Sequence, residues 1–102
     1  MVRARPLGSP GKLEEELLRE KAAVLARIAG TLEELLTRLL VMRAGLGDLA
    51  GEERARQIVT YAALRAQSEL YRWYLEVQRE ALGLRRHHVL DELDPIPEPI
   101  RA

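Results

Sequence analysis

The chain has 102 residues, 16 basic and 16 acidic side chains, and no cysteine. That length holds one domain, and the balanced charge removes the uniform field that draws a protein to nucleic acid or an anionic membrane. Without thiols there are no disulfides, cysteine nucleophiles or cysteine-based zinc sites.

No run approaches the roughly 18 uninterrupted apolar residues of a membrane span. Met1 to Gly11 lacks the apolar stretch of a secretory signal, so a cytoplasmic protein is expected. Phenylalanine and asparagine are absent, and Lys12 and Lys21 are the only lysines among the bases. Avoidance of thermolabile residues points to a heat-adapted source, and a GC-rich genome would give the same arginine bias.

Residues 1–10 read as a flexible arm, because Pro6, Gly8 and Pro10 oppose regular structure. Ser9 and Pro10 then predict a helix start, a hydroxyl cap followed by proline at the first helical position. Glu14, Glu15 and Glu16 follow, where negative charge meets the positive end of the helix dipole. From Leu13 to about Ala44, Leu25, Ile28, Leu32, Leu35, Leu39, Met42 and Leu46 recur at alternating spacings of three and four. Leu36, Leu40 and Val41 widen this seam into a stripe. Gly30 interrupts it, and Thr31 with Glu34 could cap a second helix there. Because the seam keeps phase across Gly30, one continuous helix is expected.

Gly45, Gly47 and Gly51 mark the turn, with Asp48 expected to cap the next helix. The second helix is expected from about Gly51 to Leu82. Its predicted inner stripe is Ala55, Ile58, Val59, Ala62, Ala66, Leu70, Trp73, Val77 and Ala81. A second apolar stripe holds Tyr61, Leu64, Tyr71, Leu75 and Leu82. Arg65, Glu69, Arg72, Glu76 and Arg79 alternate in sign and read as a water-facing ladder of ion pairs. Gly83 stops the helix, and Leu84 to about Leu93 predict a short third helix. Pro95, Pro97 and Pro99 enforce an extended tail over residues 94–102.

The expected fold class is therefore all-α: a long antiparallel helical hairpin over residues 11–93 with a short third helix. Two helices of about 31 residues, each roughly 47 Å long, can hide only one face of each other. The surplus is assigned to Tyr61, Leu64, Tyr71 and Leu75 as an oligomer interface, through which a homodimer would build a four-helix bundle.

Residues able to carry chemistry are few. His87 with Asp91, and His88 with Glu92, sit four apart and share helix faces, which is the one cluster of metal-ligand type. No Glu precedes a His by three, so the di-iron bundle pattern is absent. Local pairing of these imidazoles with carboxylates is the favoured reading, and no metal or other cofactor is expected. Arg79 and Arg85, beside Gln78, Glu80 and Gly83, could hold an anion at the open end of the hairpin; a structural corner is preferred. Trp73, Tyr61, Tyr71 and Tyr74 could stack on a flat ligand, with packing preferred. Arg3, Arg5, Arg85 and Arg86 could touch nucleic acid, but no helix-turn-helix pattern accompanies them, so nucleic acid is not the expected partner. No nucleophile–base constellation or phosphate-cradling glycine loop is present, and an enzyme is not expected. The expected role is a helical interaction or scaffold protein acting as a homo-oligomer. The alternatives are a small regulator using its basic termini on nucleic acid or a protein, and a metal-binding bundle using His87 and His88.

The run Leu13-Glu14-Glu15-Glu16-Leu17-Leu18-Arg19-Glu20-Lys21-Ala22-Ala23 and the run Val77-Gln78-Arg79-Glu80-Ala81-Leu82-Gly83-Leu84-Arg85, followed by Ile96-Pro97, resemble a group of small bacterial all-helical proteins. In that group a Glu-Lys-Ala run opens the first helix, and a Gln-Arg-Glu-Ala-x-Gly-Leu-Arg run closes the second. The resemblance implies the fold and no activity. Arg86-His87-His88 departs from it, standing where an acidic residue is expected.

Overall fold

The computed structural model describes residues 11–101, so the predicted arm over residues 1–10, with Arg3 and Arg5, lies outside the described residues. The described chain contains only helices and irregular connections, in the order α1 (Lys12–Gly45), a 3-10 turn (Leu46–Asp48), α2 (Gly51–Ala81) and α3 (His88–Leu93). Helix α1 opens on Gly11, whose carbonyl accepts from the Glu15 amide at 3.1 Å. Gly11 thus takes the capping position expected of Ser9, and Glu14 and Glu15 occupy the first turn.

Helix α1 runs unbroken through Gly30. A lone interior glycine costs only about 1 kcal/mol, less than the interhelical packing on either side supplies. Leu32, Leu35, Leu36 and Leu39 are buried, with Leu25, Ile28, Ala29 and Met42 packed beside them. The three-and-four seam of α1 is therefore its core face. Leu40 and Val41, which the sequence adds to that stripe, are exposed. Leu17 and Leu18 are also exposed, beyond the reach of the covering chain.

The turn is tighter than expected. Leu46 is buried in it, and Ala50 precedes α2 with no side-chain cap, so Asp48 does not cap the helix. Gly51 begins α2 at φ +57, a left-handed conformation that glycine adopts without steric cost. At the far end, the Gly83 amide donates to Glu80 O at 2.9 Å and the Leu84 amide to Arg79 O at 2.8 Å. With Gly83 at φ +85, this is the paired 6→1 and 5→2 closure that stops α2. Gly83→Ala forces a side chain into the left-handed region, and urea denaturation should report a loss of about 1–2 kcal/mol.

The largest departure concerns which face of α2 turns inward. Tyr61 is 1% exposed and Leu64, Ser68 and Leu75 are buried, all within one chain. The predicted inner stripe lies outside: Val59 is 70% and Trp73 57% exposed, with Leu70 and Val77 also in solvent. Tyr61, Leu64 and Leu75 are thus hairpin core, not free interface surface, and Tyr71 packs half-buried against them. At 100° per residue the two faces are roughly 170° apart, so periodicity alone gives each the same standing. The inward face carries hydroxyls and guanidinium groups that need hydrogen-bond acceptors once desolvated. Ser68 donates to Leu64 O in its own helix at 2.9 Å, and the acceptors for Tyr61, Arg65 and Arg72 come from a third layer, the C-terminal segment. After Gly83 the chain turns back along the hairpin, places Leu90 in the core and packs Val89, Ile96 and Ile100 against it. Helix α3 is shorter than expected because residues 84–87 are held in irregular conformation.

Candidate functional site

Two features stand apart from ordinary hairpin packing. One is the set of side chains that grips the C-terminal segment. The other is the uncovered face of α2.

The grip is made by a row of arginines. Arg79 donates from Nη2 to Arg86 O at 2.6 Å. Arg72 donates from Nη1 to Asp91 Oδ1 at 2.6 Å and from Nη2 to the carbonyls of Leu90 and Asp94. Arg65 donates from Nε to Pro97 O at 2.8 Å. Arg43, on α1, donates to Glu98 O at 2.9 Å, and the Tyr61 hydroxyl donates to the same oxygen at 2.7 Å. The predicted ion-pair ladder keeps the Arg65–Glu69 pair at 3.4 Å. Arg72 leaves it altogether, lying 8% exposed with its Nε buried and without a partner. A guanidinium projects several donors in a rigid fork, so it can bind carbonyls on different residues at once. In a tail with proline at alternate positions few amides can donate, and the carbonyls are the groups left to recognise. Tyr61→Phe removes one of two donors to Glu98 O; a loss of about 1 kcal/mol is expected, read from urea denaturation.

The candidate metal ligands are dispersed by the same segment. His87 sits with Nε2 2.9 Å from Glu80 Oε2 and Nδ1 3.4 Å from Arg79 Nε. His88 is exposed, as is Glu92, and Asp91 is engaged by Arg72. Among the described residues no three His, Asp or Glu side chains group as metal ligands. The Arg79 corner is likewise occupied by the chain itself, through Arg86 O, while Arg85 is exposed. A depression of about 580 Å³ on α1, lined by Gly30, Glu33, Glu34, Thr37 and Arg38, brings together no nucleophile and base.

The uncovered face of α2 is the feature the sequence misassigned. Between Val59 and Val77 the exposed residues on this side are Ala62, Ala63, Ala66, Leu70, Trp73 and Tyr74, and none is charged. The four charges in that span, Arg65, Glu69, Arg72 and Glu76, lie toward the tail side of the helix. Trp73 and Tyr74 lie tilted with ring centroids 5.6 Å apart, and Tyr71 meets Tyr74 edge-on at 5.5 Å. Hydropathy over residue types alone marks both faces of α2; the polar handles of Tyr61 and Arg72 are the signal that tells which one meets carbonyl-bearing chain.

No described helix is long and apolar enough to cross a membrane. Comparison with family models, with curated proteins and with solved structures gives no match to this chain.

Proposed function

We propose that the protein is a non-enzymatic helical interaction or scaffold protein of the cytoplasm that acts as a homo-oligomer. The supporting observation is the exposed, uncharged apolar face of α2 from Val59 to Val77, opposite the face that already packs on α1. A monomer seldom leaves a contiguous apolar strip of several hundred Å² in water, because covering it removes that area from solvent at about 25 cal/mol per Å². The hairpin geometry adds to this, since two helices and a tail form too thin a body to fold that strip inward. A second hairpin on each strip makes a four-helix assembly.

Sedimentation of the full chain at micromolar concentration tests the reading. A mass twice the 11.6 kDa of the chain is expected. Leu70→Glu, on the exposed face, should reduce it to the mass of one chain while leaving the helical circular dichroism intact. A wild-type chain that sediments as a monomer with undiminished stability overturns the proposal.

A further inference from the structure

The uncovered face also carries an internal order, and from it we infer that its occupant is a second copy of this chain, packed antiparallel, α2 on α2, about a two-fold axis level with Ser68. This rests on the homo-oligomer reading and specifies its surface and register.

The face is graded in size. Alanines 62, 63 and 66 occupy its N-terminal half, and Leu70, Trp73 and Tyr74 its C-terminal half. A parallel pair would crowd indoles and phenols together at one end and leave alanine opposite alanine at the other. An antiparallel pair centred at the level of residue 68 sets large against small throughout. Leu70 then comes level with the second copy's Ala66, Trp73 with Ala63 and Tyr74 with Ala62, because each pair is equidistant from the centre. Val59 comes level with Val77 in the same way. Alanines let the helix axes approach closely, and aromatic side chains fill the space that this leaves. Beyond the ends of the strip, Arg56 of one copy comes level with Glu80 of the other, opposite in charge.

The area is that of a weak, reversible contact. Centred at residue 68, the two α2 helices overlap over residues 55–81, about 40 Å, and a strip about 11 Å wide along that overlap covers about 440 Å². The pair buries about 900 Å² at most, which places it among contacts that dissociate on dilution. Because the strip lies opposite the α1 contact, the helices would stand in a row, α1–α2–α2–α1, in place of a square bundle.

The chain has one tryptophan and no cysteine, so both probes are free of background. Single variants Ala66→Cys and Leu70→Cys are prepared and oxidised separately and as a mixture, beside sedimentation and Trp73 emission at increasing dilution. The expected result is an Ala66→Cys/Leu70→Cys cross-link that exceeds either self-link, with Trp73 emission shifting to the red as the dimer dissociates. A species of twice the chain mass whose Trp73 emission ignores dissociation, or whose two variants fail to cross-link, overturns this surface and register while the homo-oligomer stands. A single-chain mass at all concentrations overturns both. Capture of an unrelated helical protein by a monomeric chain counts against the second copy as occupant.

Discussion

Leu64→Glu is expected to abolish cooperative folding, whereas Leu70→Glu, six residues further along the same helix, should leave the hairpin folded. Leu64 belongs to the buried cluster with Leu32, Leu35, Leu36, Leu39, Tyr61, Leu75 and Leu90. A carboxylate there has no cationic partner placed to meet it and must remain desolvated, take up a proton or push the helices apart. Any of these costs several kcal/mol, comparable with the whole stability of a domain of this size, about 5–10 kcal/mol. Leu70 is exposed in the single chain, so Leu70→Glu removes what the second copy contributes and leaves the hairpin itself within about 0.5 kcal/mol. Far-ultraviolet circular dichroism through a thermal scan checks both variants. Equal loss in the two, or loss at Leu70 alone, would mean that α2 presents its other face to α1.

Arg72→Ala carries the second large effect. Its side chain is 8% exposed and bridges Asp91, Leu90 O and Asp94 O, joining α2 to α3 and to the start of the tail. Asp91 is largely in water, so losing its partner matters little, and its Coulombic share is small. The cost comes from the Asp94 carbonyl losing its guanidinium donor, from Leu90 O keeping only the Asp94 amide, and from the space vacated by a buried stem. Together these amount to about 2–4 kcal/mol. Arg72→Met keeps the stem and removes the donors, so it should recover the packing share alone. Urea denaturation gives the totals, and hydrogen exchange at the Leu90 and Asp94 amides shows whether α3 has come away. Those amides exchanging as slowly in Arg72→Ala as in the wild type would show that the guanidinium does not hold α3.

These two residues also mark how far the sequence could be read. Helix α1 was legible because Leu25 to Leu46 repeat at three and four, and a phase kept across Gly30 outweighs one poor helix former. Gly83 was legible because a left-handed stop has few substitutes. In α2 both faces were legible, but not their assignment. Val59, Leu70, Trp73 and Val77 make an apolar stripe as strong as Leu64, Tyr71 and Leu75, yet the second group, with Tyr61 and Arg72, turns inward. The inward choice depends on acceptors supplied by Leu90, Asp94, Pro97 and Glu98, some 20 to 40 residues downstream. Local periodicity holds no information about a segment that returns from so far along the chain. For the same reason Arg72 read as a solvated rung of a ladder, and the carboxylate beside His87 is Glu80, seven residues upstream, where helical spacing had offered Asp91.

The grip on the tail falls on backbone oxygens at Asp94, Pro97 and Glu98, so it is blind to the side chains those positions carry. Ile96 and Ile100 alone enter the core from this stretch. Saturation mutagenesis of residues 94–101 should therefore give a map of unequal tolerance. Asp94 and Glu98 would accept most replacements, and the two isoleucines would accept almost none. Drift could rewrite the polar surface of the tail, and with it the charge at this edge of the molecule, while the backbone path stayed where the arginines hold it.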